Sequence, residues 1–192
     1  YTRGNGFQDA FQMDGPRTIL LRFNDLDSME LGLPADKDWE PALAAYHEAV
    51  AADKTYGPAW ARLAQTYAMR LDSNGPPTDY RKQAEEALAH AEKLMPNSAE
   101  VHIARGHLKY RGDTDYLGAL SDYRRAREIE PSNGRLLITI GLTERLVGLR
   151  AEAVKTLALA IRRNPENWPM RIVMAEIMRL LRRYPEAHEQ VD

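Results

Sequence analysis

A unit of 34 residues that ends at a proline, from Pro131 to Pro165, is the sequence feature that most limits the folds open to this chain. Apolar residues recur at helical spacing within 135–147 and again within 151–163. Gly148 separates the two segments, and Pro165 follows the second, so both segments end at residues that interrupt helices. The unit therefore predicts a helical hairpin that is closed by a proline.

The same pattern occurs on both sides of this unit. The unit before it runs from Pro96 to Pro131, a spacing of 35 residues, and we expect the turn 111–115 to accommodate the extra one. The unit before that runs from Lys54 to Pro96, with the excess residues in the loop 72–77. Small residues recur where two helices of a hairpin would approach closely: Ala42, Ala64, Ala84, Gly106, Ala119, Gly141, Ala153, Ala175 and Ala187.

A helical-hairpin period of about 34 residues is that of the tetratricopeptide repeat. Trp60, Leu63, Ala64 and Tyr67 follow the large, large, small, aromatic order of that family's first helix. The sequence therefore resembles the tetratricopeptide-repeat family, in particular the arrays attached to larger bacterial regulatory proteins. The resemblance implies an all-α, right-handed superhelical solenoid of antiparallel helix pairs, whose first helices line a concave surface.

The pattern divides the chain into two parts. Residues 1–38 form an N-terminal segment with a degenerate first repeat helix at 17–31. Residues 39–192 form the array, which consists of the second helix of one repeat, three full repeats and the start of a further one. Because the sequence begins at Tyr1 and stops within a helical pattern, we expect it to be a fragment of a longer protein.

Charge and composition exclude several partners. The net charge of −2, without a block of like charges, argues against nucleic acid, and no stretch of about 18 apolar residues predicts a membrane span. The chain has no cysteine, which excludes disulfides and is compatible with both the cytoplasm and the periplasm.

Catalytic and metal-binding motifs are not apparent in the sequence. His102 and His107 are five residues apart, whereas a helical zinc site needs a spacing of four. We expect His102 in the core and His107 in the groove. Carboxylate pairs such as Glu85 and Glu86 are typical of solvated helix faces. We therefore expect no enzymatic activity, no metal and no cofactor.

The resemblance places the function in the concave groove. We expect this chain to be a protein–protein interaction scaffold that binds a peptide or helix of a partner protein there, with an apolar anchor near Ile138 and Leu142. Because arginines hold carboxylates in bidentate pairs, an acidic or C-terminal peptide is favoured. Alternatively, the arginines of the groove pair with Glu100, Glu144 or Glu176 of the chain itself and bind no ligand. The groove residues implied by the family are Gln65, Met69, His107, Tyr110, Arg111, Arg135, Ile138, Leu142, Arg145, Glu176 and Arg179.

Three further expectations concern the role of the array. Ala61, Gln65 and Ile103 occupy slots where a chaperone-tail clamp has lysine or asparagine, which argues against that role. Met170, Met174 and Met178 form a stripe that we expect to be exposed, so that it could form the seam of a homodimer. The array could also be the regulatory region of a larger signalling or transcription protein, or the substrate-presenting arm of a transferase.

Overall fold

The computed structural model describes residues 39–71, 79–163 and 168–182. Within these ranges the chain is helical and contains no β-strand, so the prediction of an all-α fold is confirmed. None of the described helices is long and apolar enough to span a membrane. In chain order, the described elements are α1 (Trp39–Ala52), α2 (Gly57–Met69), α3 (Tyr80–Leu94), α4 (Ala99–His107), a π-helical turn (Leu108–Asp113), α5 (Tyr116–Ile129), α6 (Gly134–Leu146), α7 (Arg150–Arg163) and α8 (Trp168–Leu180).

The helices pack as consecutive hairpins. The pairs α2 and α3, α4 and α5, and α6 and α7 each pack along their length, and each pair is one predicted repeat unit. Neighbouring units are joined by contacts of α2 with α4, of α5 with α6 and of α7 with α8, while α1 packs against α2. Each unit thus contacts mainly the next one along the chain, which is the arrangement of a solenoid.

Side-chain caps start several of the described helices. The Ser98 hydroxyl accepts a hydrogen bond from the Val101 amide at 3.2 Å, as predicted for an N-cap serine. Asn133 accepts one from the Leu136 amide at 3.2 Å. Gly148, with φ of +86°, makes the tight turn between α6 and α7, where a side chain would be strained. Local sequence therefore sets the helix ends.

The hydrophobic core of the described residues consists of three clusters in a row. The first lies among α1 to α4, the second among α4 to α6 and the third among α6 to α8. A row of clusters follows from the repeat, because a single hairpin is too small to bury its own apolar face. Fully buried side chains at these clusters include Val101, Tyr123, Leu137, Ile140, Leu157, Val173 and Ile177.

Close approach of paired helices depends on small residues, as predicted. A Cβ atom added at Gly106 would collide with the ring of Tyr123, which is fully buried. A Cβ added at Gly141 would lie 2.5 Å from Leu157 Cδ2. In these two units a large residue of the second helix thus fills the space left by a glycine on the first helix.

The structure refines one sequence prediction and corrects another. The π-helical turn Leu108–Asp113 overlaps the predicted turn 111–115 and begins before it. Met174 and Met178 are 4% and 5% exposed, so the prediction of an exposed methionine stripe is wrong for them. They are buried because α8 packs its apolar face against the preceding unit. The homodimer seam loses its basis with them.

Several predicted features lie outside the described residues. These are the N-terminal segment 1–38 with its helix at 17–31, the loop 72–77, the side chain of Met170, and Ala187 with the helix predicted around it.

Candidate functional site

A small depression lies where two repeat units meet on the side of the first helices. Its cavity volume is about 20 Å³, slightly more than one water needs. α2 packs closely on α4, whereas α4 and α6 approach each other less closely, which leaves a gap above Tyr123 of α5. The depression is lined by Met69, His107, Tyr110, Arg111, Tyr123, Thr139, Leu142 and Thr143.

Five of the predicted groove residues lie around this depression. They come from elements that are distant in the sequence: Met69 from α2, His107 from the end of α4, Tyr110 and Arg111 from the π-helical turn, and Leu142 from α6. Gln65 lies just beside them, because its side-chain amide contacts His107 at 3.1 Å. The structure thus brings these residues of the predicted groove together around one depression.

The remaining predicted residues lie elsewhere. Ile138 is buried in the cluster among α6 to α8 and, unlike Leu142, does not line the depression. Arg135 and Arg179 are exposed and do not line the depression. Arg145 and Glu176 lie close enough to interact electrostatically, at the level of α6 and α8. The depression therefore includes fewer residues than the predicted groove.

Sequence reasoning did not assign Tyr123, Thr139 and Thr143 to the site. The two threonines share one face of α6 at a spacing of four, and this spacing was a usable signal. Thr143 donates its hydroxyl hydrogen to the Thr139 carbonyl at 2.7 Å, so this polar side chain is satisfied within the helix. Tyr123 was predicted as core, and it is both fully buried and the floor of the depression.

A chain of hydrogen bonds runs beneath the depression. Arg62 Nη1 donates to Gln65 Oε1 at 3.3 Å, which orients the amide nitrogen of Gln65 toward His107 Nε2 at 3.1 Å. Since Nε2 accepts this bond, neutral His107 carries its proton on Nδ1 and donates it to the Tyr123 hydroxyl oxygen at 2.9 Å. The chain joins α2, α4 and α5 and fixes the tautomer of the histidine.

The buried histidine beside the depression is uncharged. Burial, with a smaller contribution from the positive charges of Arg111 and Arg62, lowers the pKa of His107 from 6.5 to about 3. His107 borders the depression, but it is only 3% exposed and therefore offers little surface to a ligand. Positive charge near the depression therefore comes from the arginines.

His102 has a different environment from the predicted one. It was expected in the core, but its side chain is 13% exposed and its Nδ1 lies 3.0 Å from Asp122 Oδ1. Asp122 also accepts hydrogen bonds from Arg105 and Lys109. Burial raises the pKa of Asp122, but these donors together outweigh it, so its pKa is lowered. His102 thus belongs to a polar network between α4 and α5.

Three arginines of the predicted groove differ in their surroundings. Burial raises the pKa of Glu176, while the nearby charges of Arg145 and Arg179 act in the opposite direction. This proximity favours the alternative in which Arg145 and Arg179 pair with Glu176 of the same chain and do not bind a ligand. Glu144 instead accepts hydrogen bonds from Arg124 and Thr156 at 2.8 Å each, away from the depression. Arg111 is the arginine that borders the depression.

No metal site is formed by the described residues, since no group of three or more His, Asp or Glu side chains that could hold an ion occurs among them.

The pair Glu85 and Glu86 behaves as predicted for a solvated helix face. Each residue forms an exposed i,i+4 ion pair, Glu85 with Arg81 and Glu86 with Lys82.

Comparisons with known proteins identify the fold. No protein-family model matches the sequence, and no curated protein is significantly similar to it. Similar solved structures include PilF of Pseudomonas aeruginosa (20% identity, TM-score 0.63, covering 87% of this chain and 72% of that one). TTC0263, a thermophilic tetratricopeptide protein of Thermus thermophilus, is 21% identical, with a TM-score of 0.60 and coverage of 79% of this chain and 76% of that one.

A third similar structure is that of YrrB, described as a tetratricopeptide protein with an unusual peptide-binding site. It is 17% identical, with a TM-score of 0.56, and the match covers 80% of this chain and 75% of that one. These similarities agree with the helical hairpins, the row of core clusters and the small residues at the helix crossings. The chain therefore has a tetratricopeptide-like fold.

Proposed function

We propose that this chain is a protein-interaction scaffold that binds an acidic polypeptide segment across its first helices, at the depression between α4 and α6. The observation that carries the proposal is the composition of this depression. Its apolar lining, including Met69 and Leu142, lies beside the Arg111 guanidinium, and no carboxylate lines it among the described residues. Such a combination favours an apolar anchor next to an acidic residue.

Electrostatics supports an acidic ligand. Because His107 is neutral, Arg111 supplies the formal positive charge in the lining, with Arg62 close enough to affect the same histidine. A guanidinium group can donate two parallel hydrogen bonds to a carboxylate, from a side chain or from a chain terminus. The Arg111 guanidinium lies 5.8 Å from the ring centroid of Tyr110, and this cation–π contact helps to orient it.

The size of the depression determines how the anchor enters. A volume of about 20 Å³ is too small for a large side chain without local movement. Met69 forms one wall, and its unbranched side chain can change rotamer at low cost. We therefore expect the ligand to be an extended segment with an aliphatic anchor, which the site accepts by moving side chains rather than helices.

Similarity to other proteins of this fold supports a protein-binding function by analogy. Tetratricopeptide-like solenoids present a large curved surface, and YrrB is described as having a peptide-binding site.

The test is a selection of binding peptides from a randomised peptide library with the full chain as bait. We expect the selected peptides to share one or more acidic residues next to an aliphatic one. Arg111→Glu should lower the affinity for a selected peptide by about tenfold or more, because it replaces an attractive charge contact with a repulsive one. Lys155→Glu makes the same charge change at an exposed position of α7. This control should change the affinity by less than about threefold.

Two results would contradict the proposal. One is a selection that yields no acidic peptides. The other is an affinity that changes equally in the Arg111→Glu and Lys155→Glu variants, since the effect would then reflect net charge alone.

A further inference from the structure

The π-helical turn Leu108–Asp113 directly follows α4 and carries Tyr110 and Arg111 to the depression. It occurs in the unit that has a spacing of 35 residues instead of 34. π-helical turns accommodate a single extra residue within a helix and often lie at functional sites. In a helix with 3.6 residues per turn, one residue more or less rotates every following side chain by about 100°. The turn therefore decides which side chains face the depression.

The end of the turn has an unusual backbone. Thr114 adopts a left-handed conformation, with φ of +53°, which is uncommon for a residue with a branched side chain. The Lys109 carbonyl accepts hydrogen bonds from the amides of Thr114 and, at 3.0 Å, of Asp115. A closure of this kind satisfies the last carbonyls of a helix. Such a conformation persists where contacts from outside the turn support it.

Arg81 of α3 supplies these outside contacts. Its Nη1 donates to the Gly112 carbonyl at 2.9 Å, and its Nη2 forms an ion pair with the Asp113 carboxylate. Its Nε donates to Glu85 at 3.1 Å, which holds the guanidinium plane. A Cβ added at Gly112 would lie 3.2 Å from Arg81 Nη1, so the backbone and the guanidinium are in close contact.

We infer that Arg81 is a positioning residue for the candidate site. It holds the last residues of the π-helical turn from the second helix of the preceding unit, and it thereby fixes the directions in which Tyr110 and Arg111 project. Arg81 does not line the depression itself, so its effect on a ligand is transmitted through the turn. The inference rests on the proposed function for the identity of the ligand, but not for the mechanical role of Arg81.

The test compares Arg81→Ala with Lys82→Ala in the full chain. Lys82 is the neighbouring residue and pairs with Glu86 at 3.8 Å on an exposed face, so it controls for the loss of a helix-surface cation. Arg81→Ala should lower the affinity for a selected acidic peptide by about threefold to tenfold, whereas Lys82→Ala should change this affinity by less than about twofold. The side chain of Arg81 is 45% exposed, so both variants should keep the unfolding temperature of the parent.

A double-mutant cycle separates positioning from a general structural effect. If Arg81 acts through Arg111, Arg81→Ala should cost far less affinity in an Arg111→Ala background than in the parent. An equal loss in both backgrounds, or no loss in the parent, would overturn the inference.

Hydrogen exchange gives a readout that needs no ligand. The amides of residues 110–115 should exchange at least about tenfold faster in Arg81→Ala than in Lys82→Ala, since the turn opens more often. Unchanged exchange would overturn the inference even if peptide binding were confirmed. If no acidic peptide binds the parent chain, the proposed function fails, and the exchange measurement alone decides whether Arg81 holds the turn.

Discussion

Replacement of Gly141 by alanine tests the helix packing on which the whole array depends. The added Cβ would lie 2.5 Å from Leu157 Cδ2 and 2.7 Å from its Cγ, closer than real Cβ contacts. Leu157 is fully buried in the cluster among α6 to α8, so it has little room to move away. Overpacking of this kind costs about 1–3 kcal/mol, and the contact with Cγ places Gly141→Ala near the upper limit.

The intrinsic preference of the helix acts in the opposite direction. Alanine stabilises a helix interior by about 1 kcal/mol relative to glycine. The net expected loss for Gly141→Ala is therefore about 2 kcal/mol, as the difference between an overpacking cost of about 3 kcal/mol and this gain. Gly134 begins the same helix, and a Cβ added there meets nothing within 4 Å. Gly134→Ala should be neutral or stabilising by up to about 1 kcal/mol.

The assay is urea unfolding followed by far-ultraviolet circular dichroism, with the parent and both variants measured together. Leu157→Ala completes a double-mutant cycle. Since the smaller side chain removes the collision, adding Gly141→Ala to Leu157→Ala should cost nothing or should stabilise, with a coupling energy of about 2–3 kcal/mol. A Gly141→Ala variant as stable as Gly134→Ala, or additive effects in the cycle, would refute the packing argument.

Two other predictions concern buried polar groups. Because the pKa of His107 is lowered from 6.5 to about 3 on folding, the unfolded chain binds more protons between these values. The contribution of His107 to stability is thus complete above about pH 6.5 and is lost as the pH falls toward 3. At about pH 4.5 the free energy of unfolding should be lower by about 2–3 kcal/mol for this reason. The His107→Gln variant should not show this decrease when urea unfolding is compared at about pH 7 and about pH 4.5. An identical pH dependence of the two proteins would contradict the prediction. Glu144→Ala leaves the hydroxyl of buried Thr156 without its acceptor and should lower the free energy of unfolding by about 1–3 kcal/mol. Glu86→Ala, which removes an exposed ion pair, should lower it by less than about 0.5 kcal/mol. Equal unfolding midpoints for the two variants would contradict this prediction.

The repeat architecture could be predicted from the sequence because its signals are local and periodic. Pro96, Pro131 and Gly148 mark helix ends directly, and the Ser98 cap acts over three residues. The glycines at 106 and 141 recur at equivalent points of successive units, which indicates close helix crossings without any knowledge of the partner atoms.

The details of the site could not be predicted, because they depend on distances between units. A shift of one residue on α6 separates the predicted Ile138 from the observed Thr139, and only the way α6 sits on α7 and α8 decides between them. The burial of Met174 likewise depends on which side of α8 meets its neighbour. The tautomer of His107 follows from contacts with residues on two other helices.

The most direct test of the account is to locate a bound acidic peptide on the chain by amide chemical-shift changes in nuclear magnetic resonance spectra. We expect the changes to concentrate at the depression, around Met69, His107, Arg111 and Leu142, and to disappear in the Arg111→Glu variant. Changes that concentrate instead on the second helices α3 and α7, with Arg111→Glu binding as tightly as the parent chain, would contradict it.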